Sequence, residues 1–219
     1  MAEFERLVRD VPMTLTGVFG GTFDPIHVGH LAVASAAVHE LGLDRVLFVV
    51  AHQPWQKVGT RSVAPSELRL AMVEAAIGHR DDFQASTIEI DRGGSSYTID
   101  TVEQLRADDP DDELVLLIGS DVVPDLVTWH RHAELRDLVS LAVIDRPGDV
   151  GAEPPPGWTF RRVPAPLVDL SSSMLRARMA AGLPVDYLVP RAALAVYNEW
   201  RNEQAPAEPT HAPSAEGAP

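Results

Sequence analysis

The stretch VFGGTFDPIHVGHLAVAS, residues 18–35, decides how the rest of the chain is read. An apolar, β-type run ends in Gly20 and Gly21, histidines follow at 27 and 30, and an alanine-rich periodic segment comes next. Paired glycines at a strand end, where a side chain would block close approach, let backbone N–H groups face a phosphate. The following helix aims its positive end at the same spot. His27 and His30 fall just before and at the start of that helix, and their spacing puts both on one side of it. Two imidazoles beside phosphate oxygens can donate hydrogen bonds to charge developing in a phosphoryl-type transition state. Standing alone, the glycines are only a tight turn, and the histidines are half a metal site with no third ligand at a helpful spacing. Neither G-x-G-x-x-G nor the Walker A lysine motif occurs here, so the turn reads phosphate in another way.

Outward from this turn, strand-like and helix-like segments alternate. The patterning predicts strands over 14–19, 45–50, 83–90, 114–119, 141–144 and 159–163. It predicts helices over 29–41, 66–77 and 98–107, one beginning within SSSMLRARMAAG and ending at Gly182, and a last one opened by Pro190. In the second helix Leu70, Val73 and Ile77 share a stripe that Gly78 stops; in the last, Ala193, Tyr197 and Trp200 share a face. Ser120-Asp121 is expected to cap a helix. Repeated units of apolar strand and helix imply an α/β fold, Rossmann-like and doubly wound. Its mostly parallel sheet carries helices on both faces, with a small helical C-terminal part. Ligands of such sheets bind at the carboxyl ends of the strands, at the switch point. Residues 1–12 are expected to form a loose arm, with Met13 as an alternative start, residues 13–201 the domain, and residues 202–219 a disordered Pro/Ala/Glu tail.

Composition narrows the function. With 45% apolar residues the 219-residue chain can bury a core, and no run of about 18 apolar residues suggests a membrane span. The N-terminus lacks the apolar region of a signal peptide, and a cytoplasmic location is expected. The absence of cysteine excludes a disulfide scaffold, a thiolate nucleophile and cysteine-ligated metal. A net charge of −14 opposes broad nucleic-acid binding and is explained by solubility. A small anionic ligand remains compatible, because a few local donors outweigh a screened distant field.

GGTFDPIHVGH resembles the first signature of the nucleotidylyltransferase superfamily, whose members carry H-x-G-H on this turn. LSSSMLR, residues 170–176, resembles the second, I-S-S-T-x-I-R, with Leu170, Ser173 and Leu175 as mild departures. The two frame nearly the whole domain. Between them, AHQPWQK (51–57), SSYTIDT (95–101), LIGSD (117–121) and TWHRH (128–132) are similar, in order, to nicotinate mononucleotide adenylyltransferases. Phosphopantetheine adenylyltransferases resemble the first motif but end soon after the second.

The resemblance implies adenylyl transfer from ATP to nicotinate mononucleotide, giving deamido-NAD and pyrophosphate, with Mg²⁺ carried by ATP and no metal site in the protein. It assigns Gly20, Gly21, Thr22, Phe23, His27, His30, Gly119, Asp121, Leu170, Ser172, Ser173 and Arg176 to ATP. Of these, His27, His30 and Arg176 would be catalytic. Lys57, Thr98 and Trp129 would hold the mononucleotide. Each role has a plainer competitor. Trp129 either stacks on the pyridine or packs a helix against the core; Thr98 either heads a ligand-binding helix turn or simply caps it. Lys57 either neutralises a phosphate or points to solvent, and Asp121 is either a ligand or a cap. Arg176 near a helix N-terminus opposes the dipole, which favours a phosphate role for its guanidinium. Nicotinamide mononucleotide or phosphopantetheine as acceptor, and an inactive nucleotide-binding regulator, are the alternatives.

Overall fold

A computed structural model describes residues 14–54, 63–146 and 151–204. The expected arm, Lys57 and everything beyond 204 lie outside the described residues. In chain order the elements are β1 (Leu15–Gly21), α1 (Val28–Leu41), β2 (Arg45–Val50), α2 (Ser66–Ile77), β3 (Phe83–Ser86), α3 (Ile88–Arg92) and α4 (Thr98–Asp108). There follow β4 (Glu113–Gly119), a 3₁₀ helix (Ser120–Thr128), α5 (His132–Leu138), β5 (Ser140–Ile144), β6 (Phe160–Val163), α6 (Ser172–Ala180) and α7 (Arg191–Gln204).

The six strands form one sheet in the order β3-β2-β1-β4-β5-β6, and every pairing is parallel. The expected "mostly parallel" sheet is therefore wholly so among the described residues. Its strands explain why. In β2 every residue after Arg45 is buried, so both pleat faces need cover. Phe48 and Val50 face a core shared with Leu68, Met72 and Val73 of α2, Leu175 of α6 and Ala193 of α7. Leu47 and Val49 face the other way, against Ile99 and Val102 of α4, Leu126 of the 3₁₀ helix and Leu135 of α5. Fully buried side chains such as Phe48 and Ile99 contribute about 2 kcal/mol each.

The chain winds outward from β1 to β3, then returns to place β4 on the other side of β1. That reversal opens a crevice beyond the carboxyl ends of β1 and β4. Gly20 and Gly21 end one strand and Gly119 the other. At the opposite, amino end of the sheet, Asp112 accepts from Thr16 Oγ1 at 2.8 Å and from Arg45 Nη2 at 2.7 Å, and Arg45 Nε donates to Thr16 at 2.9 Å. This network ties the starts of β1, β2 and β4 together.

Three expectations need correction. The strand expected over 83–90 stops at Ser86, because β3 is an edge strand with one neighbour. Local helical bonds win beyond it: Asp91 N–H donates to Thr87 O at 2.8 Å and Thr87 Oγ1 to Asp91 Oδ2 at 2.6 Å. Ser120-Asp121 does not cap a helix; Gly119 holds the cap position and Ser120 Oγ accepts from Arg146 N–H at 2.8 Å. Finally, α7 runs on to Gln204, so Asn202, Glu203 and Gln204 are helical.

Candidate active site

The two glycines of the opening turn have different reasons. A Cβ on Gly21 would lie 2.7 Å from the Phe23 ring, which folds back over the turn with a left-handed backbone (φ 49°). A Cβ on Gly20 would meet nothing of the protein within 4 Å. Gly21 is required by packing, whereas the space at Gly20 is open to a ligand.

His27 is the N-cap of α1 and its backbone N–H donates to His30 Nδ1 at 3.2 Å. Accepting at Nδ1 puts the proton of neutral His30 on Nε2, which is thereby a donor. The two rings stack with centroids 3.7 Å apart. His27 is 3% exposed and its Nδ1 has no hydrogen-bond partner among the described residues. Burial, and secondly the positive charge of Arg146, hold its pKa down at about 4, so it is neutral at pH 7. The helix end is less open than the sequence argument assumes: Val28 N–H already donates to Leu188 O at 3.0 Å.

The second motif is fastened to the first. Ser172 Oγ donates to Pro25 O at 2.9 Å, Arg176 Nη1 to Asp24 O at 2.7 Å, and Arg176 Nη2 to Ser173 Oγ at 2.9 Å. Arg176 Nη1 also lies 3.7 Å from the Asp24 carboxylate. The capping bond of α6 comes from Ser171, whose Oγ accepts from Met174 N–H at 3.2 Å.

Two cavities meet in the crevice. The larger, about 330 Å³, is bordered by Gly20, Gly21, Thr22, Phe23, His30, Gly119, Asp121, Thr98 and Trp129. The smaller, about 50 Å³, is bordered by His27 and Leu170, again with His30 and Gly119. Ser172, Ser173 and Arg176 border neither cavity and reach the turn through Asp24 and Pro25. Thr98 does not cap α4, since Tyr97 holds that position; Thr98 is the first helical residue. Trp129 lines the larger cavity and packs against the core on that side of the sheet. Its indole N–H is buried with no acceptor among the described residues.

Sequence reasoning passed over Arg146, which borders both cavities. Its Nε lies 3.7 Å from Asp121 Oδ2, and a Cβ on Gly119 would collide with the Asp121 carboxylate and stand 2.8 Å from Arg146 Cδ. The signal was available: a cation two residues past a buried parallel strand lies at the ligand end of the sheet. Tyr97 and His130, whose rings lie 4.5 Å apart, and Glu89, which accepts from Thr101 Oγ1 at 2.7 Å, also line the larger cavity. Among the described residues no group of three or more His, Asp or Glu could hold a metal ion, and no helix is long and apolar enough to cross a membrane.

The chain is similar to known proteins in sequence and in fold. The family model described as Cytidylyltransferase-like matches residues 18–178. A Saccharopolyspora erythraea protein named "Probable nicotinate-nucleotide adenylyltransferase" is 43% identical over 175 residues, covering 80% of this chain and 82% of the relative. A Bacillus pumilus protein of the same name is 41% identical, covering 82% and 93%. In fold, the chain is similar to Plasmodium falciparum nicotinic acid mononucleotide adenylyltransferase complexed with NaAD, at a TM-score of 0.71 and 15% identity, covering 86% of this chain and 96% of that one.

Proposed function

We infer that this chain, which belongs to the cytidylyltransferase-like family and is related over most of its length to nicotinate-nucleotide adenylyltransferases, transfers the adenylyl group of ATP to nicotinate mononucleotide. The products are deamido-NAD and pyrophosphate, which makes the reaction a step of NAD biosynthesis. The observation that carries this reading is the junction of the two cavities, where His30, Gly119 and Arg146 border both. A transferred phosphorus at that junction has room for an acceptor on one side and for a leaving group on the other.

The acceptor is the 5′-phosphate oxygen of the mononucleotide, already ionised at neutral pH, and it attacks the α-phosphorus in line. No general base or covalent nucleophile is required, so the rate comes from positioning and charge stabilisation. His30 donates from Nε2 to the phosphate in transfer, supported by the bond that fixes its Nδ1 as an acceptor. His27 stays neutral and offers Nδ1, which has no partner among the described residues, to the same phosphates. Arg146 supplies positive charge at the junction. Arg176, about a quarter exposed, holds Asp24 of the first motif from outside both cavities, and with Ser173 it is assigned to the pyrophosphate on the resemblance of the second motif. Gly20, Gly21, Thr22 and Phe23 receive phosphate through their backbone, and Asp121 and Gly119 receive adenosine. Mg²⁺, for which the described residues offer no ligand cluster of their own, would enter with ATP and offset the charge of its phosphates.

The pyridine end belongs in the larger cavity, against Trp129. A carboxylate only accepts hydrogen bonds, which suits the first-turn N–H groups beginning at Thr98. Lys57, outside the described residues, is assigned to the mononucleotide phosphate on its position in the 51–57 segment. An ATP-consuming reaction of this kind belongs in the cytoplasm.

The test is pyrophosphate release with ATP and Mg²⁺ in the presence of nicotinate mononucleotide, nicotinamide mononucleotide or phosphopantetheine. A strong preference for the nicotinate form is expected. Preference for another acceptor would overturn the roles of Thr98 and Trp129, and silence with all three would favour the inactive regulator.

A further inference from the structure

Arg69 is the largest of the fully buried side chains, at 1% exposure, and it stands in the first turn of α2. A cation there opposes the helix dipole, and burial adds a desolvation cost, so the position calls for a compensating task. Its guanidinium donates to three backbone carbonyls from three separate stretches of chain. Nη1 bonds Thr22 O at 2.8 Å, in the turn after β1. Nη2 bonds His52 O at 3.2 Å, just beyond β2. Nε bonds Ala64 O at 2.8 Å, just before α2.

The Thr22 contact bears on chemistry. A peptide unit is planar, and in the trans form its C=O and the next N–H point in opposite directions. With the Thr22 carbonyl held toward α2, the N–H of Phe23 is turned the other way. Thr22 and Phe23 both border the larger cavity, and Phe23 has the left-handed backbone that the turn requires. The other two bonds fix the distance between His52 and Ala64, the two ends of the segment that carries Lys57. The first of these ends is further stitched to the α3–α4 connection, since His52 N–H donates to Ser96 Oγ at 2.9 Å.

We propose that Arg69 is a positioning residue for adenylyl transfer: its guanidinium orients the Thr22–Phe23 peptide so that the Phe23 N–H meets a phosphate oxygen, and it holds both ends of the 52–64 segment against the same turn. A planar fork with donors on three nitrogens spans three carbonyls, whereas a lysine ammonium is a single point and does not. The proposal rests on the activity inferred above.

The experiment compares wild type with Arg69→Lys and Arg69→Met, each assayed well below its own unfolding temperature. Misplacement of a phosphate donor by about 1 Å costs roughly a hundredfold in turnover. Arg69→Met is expected to lose that factor in kcat/KM for ATP, and Arg69→Lys to recover most of the stability but less than a tenth of the activity. A purely structural role moves melting temperature and leaves both kinetic constants within about threefold; that result in either folded variant overturns the proposal. Should Arg69→Met fail to fold, amide exchange in wild type and Arg69→Lys decides: ATP with Mg²⁺ and no mononucleotide should slow exchange at Phe23 N–H at least tenfold in wild type and markedly less in Arg69→Lys, and equal slowing in the two overturns the role of Arg69. Unchanged exchange at Phe23 while ATP is bound refutes the orientation. Because that measurement needs no acceptor, a wild type that binds ATP but turns over no mononucleotide sinks the inferred activity, while the exchange result still tests whether Arg69 orients the Phe23 N–H.

Discussion

His27 makes a sharp prediction about stability and pH. In the unfolded chain its imidazole takes a proton near 6.5, whereas in the fold burial and Arg146 hold that step down at about 4. Between those values the unfolded state binds more protons than the folded one, so stability rises with pH across the window. It is lost as pH falls below about 6.5 and this loss ends near 4. The full window corresponds to about 3 kcal/mol, and the part between pH 7 and pH 5 to about 2 kcal/mol. Such a loss lowers the melting temperature by about 6 °C in a domain of this size.

The perturbation is His27→Asn, which retains a residue suited to the N-cap of α1 and removes the titrating ring. Urea unfolding of both proteins at pH 7, 6 and 5 gives two slopes of stability against pH. Carboxylates whose pKa is lowered, among them Asp82 and Glu134, also cost stability in acid, but they do so equally in both chains. The difference between the slopes therefore isolates His27. Wild type should lose about 2 kcal/mol more than the variant from pH 7 to pH 5. Parallel slopes would refute the buried neutral imidazole, and with it the reading of its unpartnered Nδ1 as a phosphate contact.

At the far end of the sheet, Asp112→Ala should cost about 3 kcal/mol in urea unfolding, because it leaves Thr16 and Arg45 without their acceptor. Turnover of the folded fraction should be unchanged, and a kinetic defect would show that the two ends of the sheet are not independent. The glycine pair should separate by assay. Gly21→Ala drives a Cβ into the Phe23 ring and should cost about 1 to 3 kcal/mol of stability, whereas Gly20→Ala should leave stability intact and raise the KM for ATP. Equal melting temperatures for the two variants would contradict the packing at Gly21. His30→Ala should reduce kcat by about a hundredfold or more with near-native stability. Near-normal turnover would remove it from the mechanism.

The sheet was legible in the sequence because its strands are apolar on both faces, as in RVLFVV and LVLLIG, and such runs are hard to place anywhere but a covered parallel sheet. The α2 span agrees at both ends, marked by Pro65 before it and Gly78 after it. Residues 83–90 failed because edge position is a tertiary fact. The alternation of FQASTIEI fits a strand until one knows that no second neighbour is there to pair with it. The Asp121 cap failed for a similar reason, as the hydroxyl of Ser120 is claimed by Arg146 from a loop 26 positions away. Arg146 and Arg69 were passed over because neither sits in a motif. Arg146 acts from the end of a neighbouring strand, and Arg69 looks like one more charge on an amphipathic helix until its three carbonyl partners are seen.

The distribution of satisfied and unsatisfied polar groups then has a direction along the sheet. At the amino ends of the strands, the buried Thr16 and Asp112 are bonded to each other and to Arg45. At the carboxyl ends, His27 Nδ1, His52 Nδ1 and Trp129 Nε1 are the buried side-chain nitrogens without a partner among the described residues. Each costs about 1 to 3 kcal/mol if left so, and a fold selected only for stability has no reason to gather all three at one end. On the function inferred above, a nucleotide would bring acceptors and negative charge to that end. His27 and Trp129 border the crevice, where such a ligand would offset their cost, whereas His52 borders neither cavity. Such an asymmetry is expected of a site organised in advance of its substrate, and on the function inferred above it sets His27 and Trp129 apart from imperfect packing.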